Sequence, residues 1–223
     1  MIKQVFIGLM TEGTTDNRFL ESVVKRTFEE IGFECNGDIE IDVRFISIEK
    51  TGIGFVEQVL TSSKKGVEQF GIMILCVHSD ADNVNVLNTF QNKIIPAKHE
   101  LNQRKGNEYC KILTPIVPVQ MIESWMLADK ELLKREIGTN KTDNELNINR
   151  PPEEIANPKI LIEEAIRISR EDLTKKRRKD LTIGELYLPI GQKISIEKLN
   201  TLPSFLKFKD SIREAYRDLN YLG

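Results

Sequence analysis

Residues 71–83 read GIMILCVHSDADN, and this stretch decides the fold. Ile72 to Val77 is an unbroken apolar run, preceded by Gly71 and followed by polar residues. A run so short and so uniformly apolar is the pattern of a strand buried on both faces of a parallel sheet. His78, Ser79, Asp80, Ala81 and Asp82 come next, so two carboxylates emerge where the strand stops. In an open α/β sheet, ligands bind beyond the carboxyl ends of the strands. Two like charges one residue apart repel each other, and a neighbouring cation relieves that cost. Hard oxygen ligands of this kind suit Mg²⁺, which also keeps several of its waters. The same residues are good turn formers, and Asp82 or Asn83 can cap a following helix. The stretch alone leaves both readings open.

Working outward toward the start of the chain, Gln4 to Met10 is a second short apolar run and a strand. Behind it, Phe19, Leu20, Val23, Val24, Phe28 and Ile31 recur at helical spacing, with Thr14 or Thr15 as N-cap and Gly32 as the stop. Glu12 therefore falls in the turn between strand and helix, ahead of a glycine that permits a tight turn. Ile39 to Ile48 alternates and is rich in β-branched residues, a further strand. Thr51-Gly52-Ile53-Gly54 lacks the Lys-Ser/Thr of a phosphate loop and reads as a turn into a helix over Phe55 to Lys65.

Toward the end of the chain, Val84 to Gln103 predicts a helix that Pro96 kinks or divides. His99 on its polar surface reads as solvated. Cys110 to Val119 is extended, and its Pro115 and Pro118 favour an edge strand or a strand end. A helix begins in Gln120 to Asp129, where the single Trp125 reads as core. Glu123 in its first turn complements the helix dipole, if nothing else.

Composition narrows the function classes. Lys plus Arg number 32 against 34 Asp plus Glu, a net charge of -2. That balance argues against a generally basic, nucleic-acid-coating protein and leaves room for a local basic site. The opening MIKQVFIGLMTEG lacks the pattern of a signal peptide, and no stretch is long and apolar enough to span a bilayer. Three scattered cysteines, Cys35, Cys76 and Cys110, form no CxxC pair, against a zinc site or disulfide framework. The expectation is a cytoplasmic protein with no membrane partner.

Four strand–helix units alternate through residue 136, which implies parallel pairing with right-handed crossovers. The strand ends then share one rim, bringing together Glu12, Asp80, Asp82 and Glu123. The EG after the first strand and the DxD after a later apolar strand resemble the Toprim domain of topoisomerases, bacterial primases, recombination mediators and the overcoming-lysogenization-defect nucleases. Ile122 to Asp129 is similar to a segment of Toprim-like proteins from bacterial defence and mobile-element neighbourhoods. The resemblance covers roughly residues 1 to 136, in short motifs whose order and strand-end placement are more specific than their letters. It implies a Toprim-like, Rossmann-like α/β fold, with Glu12 as the acid/base residue and Asp80 and Asp82 as Mg²⁺ (or Mn²⁺) ligands. Glu123 would be a further metal-site acid, and a protein partner would be of the kind of an operon-encoded ATPase. No basic residue of this segment matches a family position.

Residues 137–223 differ in character. Gly138 to Pro158 reads as a loop or linker, Pro158 to Arg170 as a helix, and Leu202 to Leu222 as an amphipathic helix. Together they predict a helical extension packed on the sheet. Lys175, Lys176, Arg177, Arg178 and Lys179 form the densest charge run, either solvated or placed to grip nucleic-acid phosphates. The whole predicts a Mg²⁺-dependent enzyme of phosphodiester chemistry on DNA or RNA. A non-catalytic module binding metal or a partner, and a hydrolase of nucleotides or small phosphoesters, are the alternatives.

Overall fold

A computed structural model describes residues 2–174 and 180–223; the basic run Lys175 to Lys179 lies outside the described residues. The fold is Rossmann-like α/β. Strands β1 (Lys3–Met10), β2 (Ile39–Phe45), β3 (Ile74–His78) and β4 (Leu113–Ile116) form one all-parallel sheet in the order β2-β1-β3-β4. Helices α1 (Thr14–Gly32) and α2 (Phe55–Phe70) make the first two crossovers. The third runs through α3 (Leu87–Thr89), a π-helical turn (Phe90–Ile94) and α4 (Ile95–Gln103). After β4 come α5 (Glu123–Met126), α6 (Lys130–Ile137), α7 (Pro158–Ser169), α8 (Tyr187–Lys193), α9 (Ile196–Leu199) and α10 (Pro203–Asp218).

Strand alternation sorts the interior into two cores. Val5, Ile7 and Leu9 of β1 and Ile74 and Cys76 of β3 join α1 and the helices after β4. Met10, Leu75 and Val77 face the other way, among residues of α2 and α4. The first core draws on both halves of the chain, from Val5 to Tyr216. Its aromatic centre is Trp125, edge-on to Phe205, with Phe28 edge-on to Phe208 and Tyr216. Trp125 is fully buried and its indole donates to Ser204 at 2.8 Å. The chain ends meet at the amino end of β1: Lys3 donates to the Asn36 carbonyl, Asn36 donates to the Tyr221 carbonyl, and the Lys3 ammonium sits 4.2 Å from the Tyr221 ring.

Several elements depart from expectation in their bounds. Helix α2 continues to Phe70, where Gly71 in the left-handed region (φ 60°) ends it. Strand β2 stops at Phe45, and Val84 lies before the third crossover helix. Pro96 does divide that helix, by way of the π-turn. Proline has no N–H and its ring crowds the carbonyl four residues back; here the Ile95 amide reaches to the Phe90 carbonyl, five residues back. Pro115 sits in an edge strand. Leu75 and Ser79 donate to the carbonyls of Ile112 and Ile116, so Pro115 is out of phase with them and its missing N–H falls on the unpaired edge. The helix expected from Gln120 onward is interrupted: Asp129 caps α6, accepting from the Leu132 amide at 2.9 Å. Among the described residues, no helix is long and apolar enough to cross a membrane.

Candidate functional site

The order β2-β1-β3-β4 places a topological switch between β1 and β3. One crossover leaves β1 toward β2, the other returns to its opposite side, and the loops after β1 and β3 part to open a crevice. The first loop carries Glu12 and the second carries Ser79, Asp80 and Asp82. Leu9 and Met10 pair with Cys76 and Val77, so the two strands end level and present these side chains at one rim.

Glu12 is tied across the crevice. Ser79 Oγ donates to its Oε1 at 2.7 Å, and Lys93 Nζ lies 3.3 Å from the same oxygen and 2.8 Å from Ser79 Oγ. Lys93 belongs to the π-turn and also approaches the face of Phe55, 5.5 Å from its centroid. A second ammonium, Lys50, donates to the backbone carbonyls of Thr11 and Glu12 and holds the loop itself. Lys50, Lys93, Met10, Phe55 and Gln58 enclose a cavity of about 280 Å³ beside Glu12.

Asp80 faces inward. Its Oδ1 accepts from the Ile122 amide at 3.0 Å and lies 3.1 Å from Nε2 of His78, a fully buried imidazole. On the other ring nitrogen, His78 Nδ1 lies 3.5 Å from Asp16, whose carboxylate also accepts from the Gly13 amide at 2.7 Å. Burial alone would push the His78 pKa down, but the Asp16 and Asp80 carboxylates outweigh it and hold it at about 9. Burial also pushes the Asp16 carboxyl up; His78 and the Gly13 amide pull it below its ordinary value.

Asp82 points to open solvent with a left-handed backbone, φ 51°, a region that Asp enters more readily than most residues. Burial, then the charges of Asp80 and Glu12, raise its pKa. The acids on the two loops therefore feel one another across the crevice. Glu123 is not on the open rim. It is buried, accepts a hydrogen bond from the Tyr187 hydroxyl of α8, and has its pKa raised by burial despite that bond. No family model, curated protein or solved structure matches the chain.

Among the described residues, no three His, Cys, Asp or Glu side chains are grouped so as to hold one metal ion directly. The hydrogen bonds explain the spacing: Glu12 is turned toward Lys93 and Ser79, Asp80 toward His78 and the Ile122 amide. The donor chemistry fits a hydrated Mg²⁺, which is ordinarily held by one or two carboxylates and keeps its own waters. Asp82 and Asp80 are the residues of the rim that would hold such an ion.

Sequence reasoning placed Glu12, Asp80 and Asp82 at the strand ends, where the structure has them, and Glu123 on the same rim, where it is not; it did not reach their partners. His78 and Ser79 stand beside Asp80 in the deciding stretch, yet nothing local marks a histidine as buried between carboxylates. Lys93 and Tyr187 reach the site from 81 and 64 residues away in sequence from Glu12 and Glu123, so only the fold reveals them.

Proposed function

We propose that this chain is a Toprim-like, Mg²⁺-dependent enzyme of phosphodiester chemistry on nucleic acid, in a bacterial defence or mobile-element setting. The observation that carries the reading is the placement of Glu12 on one loop and of Asp80 and Asp82 on the other, on the two sides of the β1–β3 switch point. This crevice is where an open α/β sheet binds its ligands. Asp82 and Asp80 would hold the cation, which supplies polarisation of phosphoryl oxygens and stabilisation of developing charge. Glu12, oriented by Ser79, takes or returns the proton of the attacking or leaving oxygen. Lys50 fixes the loop on which Glu12 stands, and His78 with the Ile122 amide fixes the Asp80 carboxylate.

The dispersion of the acids favours a second reading, a non-catalytic module that binds Mg²⁺ or a partner on the same rim. Incubation with end-labelled single- and double-stranded DNA and RNA, with Mg²⁺ or Mn²⁺, separates the two. The enzyme reading expects metal-dependent cleavage that Asp82→Asn lowers at least ~100-fold, as loss of an essential metal ligand should. The same variant is expected to melt higher than wild type in the absence of divalent cation. A carboxylate whose folded pKa is raised costs stability above that pKa, so removing its charge returns that stability. Cation binding without cleavage of any of the four substrates leaves the module reading in place of the enzyme.

A further inference from the structure

We propose that Lys93 is the resident counter-cation of the rim, an ammonium that a divalent cation must displace from Glu12 when it binds. The inference rests on the metal-binding reading of Asp80 and Asp82 and says how that site is regulated. Of the two lysines at Glu12, Lys50 is bound to the backbone carbonyls of Thr11 and Glu12 and is part of the loop's architecture. Lys93 is bound only to side chains, Glu12 Oε1 and Ser79 Oγ, and its own side chain remains 34% exposed. It is therefore the exchangeable one.

Its aim is built into the chain. Pro96 at the start of α4 stands just after a π-turn, an irregularity frequently found at functional sites. A π-turn inserts one residue into a helix and rotates its two flanking segments relative to each other. Lys93 lies inside that turn and crosses to the β1 and β3 loops. Ser79, which Lys93 holds at 2.8 Å, immediately precedes Asp80, and its Oγ lies 3.4 Å from the Asp80 carbonyl, so the ammonium sits against the loop that carries Asp80 and Asp82. A hydrated divalent cation held by Asp82 and Asp80 would bring two positive charges to the loop whose Ser79 is already held by Lys93. Two cations then compete for Glu12, and like-charge repulsion moves the weaker-held ammonium away. The displaced Lys93 still borders the cavity lined by Lys50, Phe55 and Gln58.

The test is calorimetric titration of Mn²⁺ into the metal-free protein, with no nucleic acid present, at one ionic strength. Lys93→Met removes the competitor, and Lys98→Met removes the same charge from an exposed position on α4. Lys93→Gln serves as a second neutral variant, and circular dichroism checks that each is folded. An exposed ion pair is worth up to about 1 kcal/mol, so both Lys93 variants are expected to bind Mn²⁺ about fivefold more tightly than wild type, with Lys98→Met unchanged. Binding by the Lys93 variants alone supports the inference equally. Equal or weaker Mn²⁺ affinity in folded Lys93 variants overturns the inference and leaves the metal reading standing. Absence of Mn²⁺ binding in every protein, or binding that survives Asp82→Asn unchanged, overturns both.

Discussion

The imidazole of His78 links the stability of the protein to pH. Fully buried between Asp16 and Asp80, it holds its proton up to a pKa of about 9, against about 6.5 for an exposed histidine. A raised folded pKa adds stability that is complete below the unfolded value and is lost as pH rises through the folded one. Denaturant midpoints should therefore fall between about pH 6.5 and pH 9, by an amount on the order of 3 kcal/mol in stability. In His78→Gln the decline should be largely absent; a wild-type profile flat across that window would disprove the account. The same bonds change what Asp80 is worth. Mutual repulsion alone would let Asp80→Ala leave the metal-free protein as stable as before, but here it would strand His78 and the Ile122 amide. Asp80 and Asp82 were equally legible in the sequence as acids at a strand end. Their division of labour was not, because it depends on which carboxylate meets the buried histidine.

At the scale of elements, the amphipathic helices and apolar strands were readable from their periods, whereas α8 was not. Seven residues containing Pro189 and Gly191 carry no helical signature, and tertiary contact makes them a helix. Gly191 is where α8 lies directly on α1: a Cβ there would stand 2.5 Å from the Phe19 carbonyl oxygen and 2.7 Å from Phe19 Cα. Arg26 of α1 then caps the end of α8, donating to the carbonyls of Gly191 and Ile194 at 2.7 and 2.6 Å. Because backbone must move to admit the extra carbon, Gly191→Ala should cost about 2–3 kcal/mol by chemical denaturation. Gly184→Ala, whose added carbon meets nothing closer than Thr182 Oγ1 at 3.6 Å, should be near neutral. Equal effects of the two would show that α8 rests on α1 less tightly than these distances require. The position of α8 also brings the Tyr187 hydroxyl to the buried Glu123.

Over the whole molecule, one apolar core joins the sheet to the helices after residue 136. Phe28 and Trp125 meet Phe205, Phe208 and Tyr216 there, and the Tyr216 hydroxyl donates to the Phe28 carbonyl. A fragment of residues 1–136 would expose the outer face of α1, including Phe19, Val23 and Phe28, now fully buried. Losing several aromatic neighbours at about 3–5 kcal/mol each exceeds the stability of an ordinary domain. The fragment is expected to lack a cooperative melt and dispersed amide resonances. A fragment that unfolds cooperatively would show the helical extension to be dispensable. The change of composition after residue 136 marked where the α/β alternation stops. It could not show whether the later helices cover the sheet, because that depends on contacts between residues more than a hundred positions apart.

The meeting of Lys3, Asn36 and Tyr221 has a practical side. Strand β1 spans eight residues, so Lys3 and Tyr221 lie roughly 26 Å from the rim, at the far side of the sheet. A surface or a fused protein attached at either end leaves Glu12 and Asp82 facing free solution. A short peptide joining Lys3 to Tyr221 would close this segment into a ring, and new termini could then be opened at an exposed loop such as the one around Gly106. In such a circular permutant, the residues after Gly106 would precede those before it in sequence while the crevice keeps its walls.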